Sequence, residues 1–199
     1  MSEQDMAAAE EIMWAGRFIT AKRRGRWEYV GRVPSASSSI ARITAEYVGR
    51  ARGIHAAVIL AIDEDADGTR HVLLVDQFRV PLGRRCIELP AGLVGDNEEG
   101  EESALAATRE LEEETGYRAG RMEAAGDFYS SPGMVSESFC LFRAHDLQKT
   151  GEGGGVDGED IRVHRVPIAD VPNQIEAWRA QGFAIDVKLL LLLGPELSR

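Results

Sequence analysis

Cysteine is scarce in this chain: Cys86 and Cys140 are the two in 199 residues, each inside an apolar, strand-like run and without a metal-type spacing. Reduced, buried thiols are expected, which fits a cytoplasmic protein and leaves no disulfide framework to organise the fold. Long apolar runs are missing too. Leu189 to Leu193 falls far short of the ~20 residues that a membrane-spanning helix needs. Met1 to Glu11 is acidic and polar where a signal peptide would be basic and then apolar, so neither a leader nor a membrane partner is expected. Positive charge is in deficit, with 23 Lys and Arg against 33 Asp and Glu, and no basic stripe marks a nucleic-acid footprint. The chain has no Gly-x4-Gly-Lys phosphate loop and no Gly-x-Ser-x-Gly elbow. His55, His71, His145 and His164 lack zinc-ligand spacing and read as structural or surface histidines.

What the chain does have is a local excess of carboxylates. Nine of its acids lie between Asp96 and Glu114, opposed by Arg109 alone, so that stretch carries -8 of the formal net charge of -10 and the remainder only -2. The core of it is Arg109-Glu110-Leu111-Glu112-Glu113-Glu114-Thr115-Gly116-Tyr117. On a helix, residues three and four apart are surface neighbours, so Glu110 shares a face with Glu113 and Glu114. Such crowding repels unless a cation sits there, and hard divalent ions take carboxylate and carbonyl oxygens, commonly beside substrate phosphates. A solvated helix face is the bland alternative. Order argues for the site: Ser103 stands at the N-cap position, Gly116 at the C-terminal cap, and Ala104, Ala107, Thr108 and Leu111 form a small, apolar inner face.

These residues resemble the Nudix box, Gly-x5-Glu-x7-Arg-Glu-U-x-Glu-Glu-x-Gly-U with U aliphatic or aromatic. Gly95, Glu101, Arg109, Glu110, Leu111, Glu113, Glu114, Gly116 and Tyr117 fall in register. The resemblance implies an α+β Nudix fold, mixed β-sheets sandwiched between helices, and hydrolysis of a nucleoside diphosphate linked to another moiety. It also implies Mg2+ as cofactor, with Mn2+ as substitute, held by Glu110 and Glu114 with Glu113 adjacent, and a supporting ion pair between Glu101 and Arg109. Val75 to Gly83 and the Glu88-Leu89-Pro90-Ala91-Gly92 run resemble the ADP-ribose pyrophosphatase branch, as does Ser131-Pro132-Gly133 beyond the box. In that branch the Ala91 carbonyl is a further metal ligand and the glycine of the Glu-x-Pro-Ala-Gly run is the box glycine. Here Gly92 lies nine residues before Glu101 and Gly95 has the standard spacing, so an insertion of three residues in the loop 93 to 100 is expected.

The same resemblance implies an N-terminal β-rich segment, residues 1 to 50, that dimerises and reads the base, followed by a hydrolase domain from 51 to 199. Phe18 and Trp27 are the aromatic candidates for stacking adenine across a homodimer, and Arg79 is the candidate phosphate clamp. Five glycines between 151 and 158 argue for a loop, taken here as 144 to 160, that closes over substrate. In the resembled branch that loop carries the glutamate acting on the attacking water; Glu159, Asp157 and Glu137 are the three candidates. The substrate class so implied is a nucleotide sugar: ADP-ribose first, GDP-mannose or a catalytically silent nucleotide-binding module as alternatives.

Strands are expected at Gly16 to Lys22, Trp27 to Arg32, Ile40 to Tyr47, His55 to Ile62, His71 to Phe78, Gly126 to Tyr129, Ser138 to Phe142 and Ile161 to Val166. Helices are expected at Val171 to Arg179 and Ile185 to Leu193. Asp63 to Gly68 opens like a calcium loop, but Leu74 stands where a bidentate Glu is required, so it reads as a hairpin turn.

Overall fold

The computed structural model describes residues 8–32, 55–94, 102–156 and 158–197. The expected strand Ile40 to Tyr47, the turn before it, Gly95, Glu101 and Asp157 lie outside the described residues. The chain divides into two units, one of residues 1–56, 93–103 and 127–140, the other of residues 57–92, 104–126 and 141–199.

The first unit carries an antiparallel sheet of β1 (Glu10–Ala15), β2 (Ile19–Arg24) and β3 (Trp27–Arg32). The β2–β3 hairpin turns at Gly25, whose φ of 58° is left-handed backbone that glycine enters at no steric cost. Strand β1 escaped the sequence reading; it pairs with β2, and its Glu10 accepts from the buried Lys22 ammonium at 2.8 Å.

The second unit centres on β5 (Arg70–Arg79), joined to β4 (Ala56–Glu64) by the expected turn. Asp65 N–H donates to the Thr69 carbonyl at 2.9 Å, and Arg165 bridges Asp63 and Asp65, so these acids are held by a cation of the chain itself. The whole sheet has eight strands, with β6 (Arg84–Glu88), β7 (Ala91–Leu93), β8 (Tyr117–Tyr129), β9 (Ser138–Lys149), β10 (Arg162–Pro167) and β11 (Ala184–Ile185) completing it. Strand β5 pairs with β6 along Val75 to Arg79 and with β10 along His71 to Asp76. Val72, Leu73 and Leu74 are fully buried, the signature of a strand covered on both faces.

Helix α1 (Ser103–Thr115) follows the loop after β7, and α2 (Val171–Ala180) and α3 (Leu190–Leu197) close the chain. Together these make an α+β architecture with a separate N-terminal sheet, as expected from the resemblance. Three expectations need correction. Strand β8 begins at Tyr117, not near Gly126, and β9 runs on to Lys149. Arg118, Arg121 and Glu123 on β8 and Arg143, His145, Asp146, Gln148 and Lys149 on β9 interrupt the apolar pattern where that hairpin meets solvent, with Glu123 bonded to Arg121, Arg143 and His145. Consequently 144 to 149 are strand, and the glycine-rich loop starts at Thr150. Finally, Ile185 is not helical: it pairs in parallel with Ile87, and helix α3 starts only at Leu190. A short apolar run does not reveal its own period.

Candidate functional site

Helix α1 owes its shape to strong helix formers and to its end. Gly116 has φ of 71°, and its N–H returns to the Glu112 carbonyl at 2.9 Å. A side chain here would also collide with the Gly151 carbonyl, so glycine is required twice over. The inner face departs from expectation. Ala107 and Leu111 are buried, but Ala106 replaces Ala104, Thr108 is only half-buried, and the remaining inward residues are Glu114 and Thr115. A carboxylate thus points inward from the helix.

Glu114 is 7% exposed and accepts the Ala91 N–H at 3.0 Å, which ties the last turn of α1 to the Pro90-Ala91-Gly92 turn. Burial, reinforced by the like charges of Glu110 and Glu159, pushes its carboxyl up to about 8. Glu110 is raised as well, again chiefly by burial, with Arg109 opposing and Glu113 and Glu159 adding repulsion. Arg109 donates to Glu113 at 2.9 Å and lies 2.9 Å from Glu110. Among the described residues no three His, Cys, Asp or Glu side chains converge as a ready-made ligand set. The reason is visible: one cation and one backbone amide divide the like charges of Glu110, Glu113 and Glu114 between them.

Gly92 proves to be the glycine that matters sterically here. A Cβ built on it would fall into the side chain of Glu110, so only a hydrogen leaves room for that carboxylate. Spacing along the chain had pointed to Gly95, which is outside the described residues.

The glycine-rich loop is docked rather than free. Gly154 N–H donates to the Glu114 carbonyl at 2.8 Å and Gly155 N–H to the Glu113 carbonyl at 3.0 Å, satisfying carbonyls that a helix end leaves open. Gly153, with φ of 70°, presses against the Thr115 and Gly116 backbone, where a Cβ would clash. Glu159 accepts the Val156 N–H at 3.0 Å, and its charge is felt by both Glu110 and Glu114. An open hollow lined by Gly153, Gly154, Gly155, Val156, Gly158 and Glu159 lies over this loop.

The structure therefore brings together Ala91, Arg109, Glu110, Glu113, Glu114 and Glu159. Arg79 is part of the same unit but already engaged, forked onto Glu88 by bonds of 2.7 and 2.9 Å that hold its guanidinium more firmly protonated. Glu137 belongs to the first unit, where Arg32 and Ser130 hold it. In that unit Phe18 and Trp27 are 65% and 45% exposed, and the Arg17 guanidinium stands 4.9 Å over the Phe18 ring. Sequence reasoning missed the Arg79–Glu88 fork and the network around Asp76 described below. Both join residues on different strands, which no local spacing reports.

Comparison with known proteins adds a second line. Residues 53–184 match the model of the NUDIX domain. An uncharacterized Nudix hydrolase of Schizosaccharomyces pombe is 37% identical over 141 residues, which is 68% of this chain and 67% of that protein. An ADP-ribose pyrophosphatase of Bacillus subtilis is 36% identical over 61% of this chain and 63% of its own length. A GDP-mannose pyrophosphatase of Cronobacter sakazakii is 37% identical over 71% of this chain and 72% of its own. The crystal structure of an ADP compounds hydrolase superposes with a TM-score of 0.62 at 21% identity, covering 96% of this chain and 92% of that one, a likeness of fold.

Proposed function

This chain belongs to the Nudix family, and on that premise we propose that it hydrolyses the diphosphate of a nucleoside diphosphate sugar, most favourably ADP-ribose, to give AMP and ribose 5-phosphate. One observation carries the reading: an inward, desolvated Glu114 beside Glu110, whose carboxyl groups burial has raised and which a divalent cation would relieve. The residues fit such an ion. Their donors are hard oxygens, Gly92 leaves the room that Glu110 needs, and Glu110 and Glu114 with the Ala91 carbonyl would hold the ion, Glu113 adjoining. Bound Mg2+ or Mn2+ would supply charge neutralisation of the diphosphate and activation of water.

The chain's own residues do the rest. Water attacks one phosphorus in line, the P–O bond to the second phosphate breaks, and that phosphate leaves with the electron pair. Glu159 takes the proton released by the water; its place beside Glu110 and Glu114 favours it over Glu137, which Arg32 occupies. Arg109 orients Glu110 and Glu113, and the Nudix box implies Glu101 as its further partner. Arg79, once released in part from Glu88, offers the phosphate clamp. Residues 1–50 form the dimerisation and base-binding part of a cytoplasmic homodimer. Phe18 and Trp27, both exposed, stack the base there, and residues 51–199 form the hydrolase domain.

The test is a panel of ADP-ribose, GDP-mannose and other nucleotide sugars with Mg2+, products separated by chromatography. ADP-ribose should lead in kcat/KM by about tenfold or more, and chelation should stop the reaction. A lead for GDP-mannose, whose relative is similar to the same degree, would replace the substrate but not the chemistry. No turnover on any substrate would leave a nucleotide-binding module. In the same assay Gly92→Ala should keep its melting temperature within a few degrees yet lose about 10- to 100-fold in turnover at limiting Mg2+, because the new methyl displaces Glu110. Unchanged metal dependence would show that Glu110 needs no such room.

A further inference from the structure

The loop acid Glu159 sits in a segment that contains five glycines, and so much backbone freedom is a poor mount for a group that must meet a water within tenths of an ångström. The upstream side of the segment is fixed by the amides of Gly154 and Gly155 on helix α1. The downstream side passes through the buried Ile161 into β10, which pairs with β5 from Arg162 on, and the residue next to Glu159 is gripped by Arg85. Arg85, on β6, directs Nη1 at the Asp160 carboxylate at 2.5 Å and Nη2 at the Asp160 backbone carbonyl at 2.7 Å. Its other bonds run into the sheet: Nε to the Asp76 carboxylate, and Nη2 to the Asp76 carbonyl at 2.9 Å. Asp76 is itself 1% exposed, and its second oxygen meets His164 Nε2 at 2.6 Å, whose ring packs edge-on against Trp178 at 5.2 Å. A buried carboxylate thus holds a guanidinium, and the guanidinium holds the residue next to Glu159.

We infer that Arg85 is a positioning residue for hydrolysis, fixing the exit of the glycine-rich loop so that the neighbouring Glu159 carboxylate stays beside the acidic helix. This rests on the assignment of Glu159 as the proton acceptor. The fork is suited to the task because it grips both the side chain and the main chain of Asp160. The main-chain bond restrains the backbone one residue from Glu159 whatever the carboxylate does.

A double-mutant cycle tests the inference, using the full-length protein, Mg2+ and the best nucleotide sugar of the panel. Arg85→Ala should lower kcat about 10- to 100-fold with KM within about threefold, since a base displaced by an ångström costs about that much. In a Glu159→Gln background the same substitution should cost less than about threefold, because nothing remains to be positioned. Hydrogen exchange of residues 154–160 should speed up in Arg85→Ala while that of β5 does not. Should Arg85→Ala fail to fold with Asp76 left to His164 alone, Arg85→Lys, which keeps a cation beside Asp76 but cannot fork onto the side chain and main chain of Asp160 at once, serves in the same cycle. Equal losses in both backgrounds, or no loss in either, overturn the inference while leaving Glu159 as the base. If Glu159→Gln alone turns over within threefold of the parent, the assignment of the base falls first and this inference with it.

Discussion

Replacing Glu114 by Gln is expected to cut Mg2+-dependent turnover by about a thousandfold without unfolding the protein. Gln keeps the length of Glu, and its amide oxygen still accepts the Ala91 N–H, so the link between helix α1 and the Pro90-Ala91-Gly92 turn survives. What is lost is a negative charge that the site needs and that the fold tolerates poorly. In the folded protein the Glu114 carboxyl titrates near 8, raised from 4.5 by burial and by Glu110 and Glu159. The folded state therefore holds a proton that the unfolded chain has already released. Stability of the metal-free protein should fall as pH rises from about 5 to 8, by up to about 1.4 kcal/mol per unit from this group, and then level off. Gln has no proton to lose, so Glu114→Gln should flatten that slope and melt higher than the parent at pH 8. Melting curves from pH 5 to 9 with chelator present check this. A variant that melts lower than the parent at every pH would mean that Glu114 is held by interactions stronger than its charge is costly.

The second large effect is the pH dependence of metal uptake. Ligands must be deprotonated, so an ion that binds Glu114 displaces its proton whenever the pH is below about 8. Affinity should fall about tenfold for each unit below that value, a hundredfold from pH 8 to pH 6, and more steeply where Glu110 gains its proton too. Calorimetric titration of Mn2+ in two buffers of different protonation enthalpy reads both the affinity and the proton released. A dissociation constant steady within threefold from pH 6 to 8, with no proton release, would put the ligands elsewhere.

Much of the site was legible because its signal is local. Glu110, Glu113 and Glu114 lie within one turn of one helix, and Gly116 ends that helix where the spacing placed it. Local signals fail where the chain folds back on itself. Counting residues selects Gly95, whereas the space around Gly92 is set by Glu110, 18 positions later and brought over it by the fold. Arg79 reads as a free cation in the sequence, yet the pairing of β5 with β6 places it against Glu88. Asp76, Arg85, Asp160 and His164 are four unremarkable polar residues until three strands and a loop gather them. The glycine run suggested freedom, which glycine does confer; here the same absence of side chains lets the loop lie against the end of helix α1. Charged residues such as Arg118, Arg121, Glu123 and Arg143 hid the full length of β8 and β9, because a hairpin with one face in water needs no apolar run.

At the centre of the proposed activity, the acids of helix α1 hold divalent cations which in turn hold a diphosphate. Titrating Mn2+ by calorimetry at pH 8, with and without a non-hydrolysable ADP-ribose analogue, tests it most directly. Saturable binding is predicted for the parent, tighter with the analogue present, and lost in Glu110→Gln/Glu114→Gln. No saturable heat from the parent in either condition, or undiminished binding by the double variant, would contradict it.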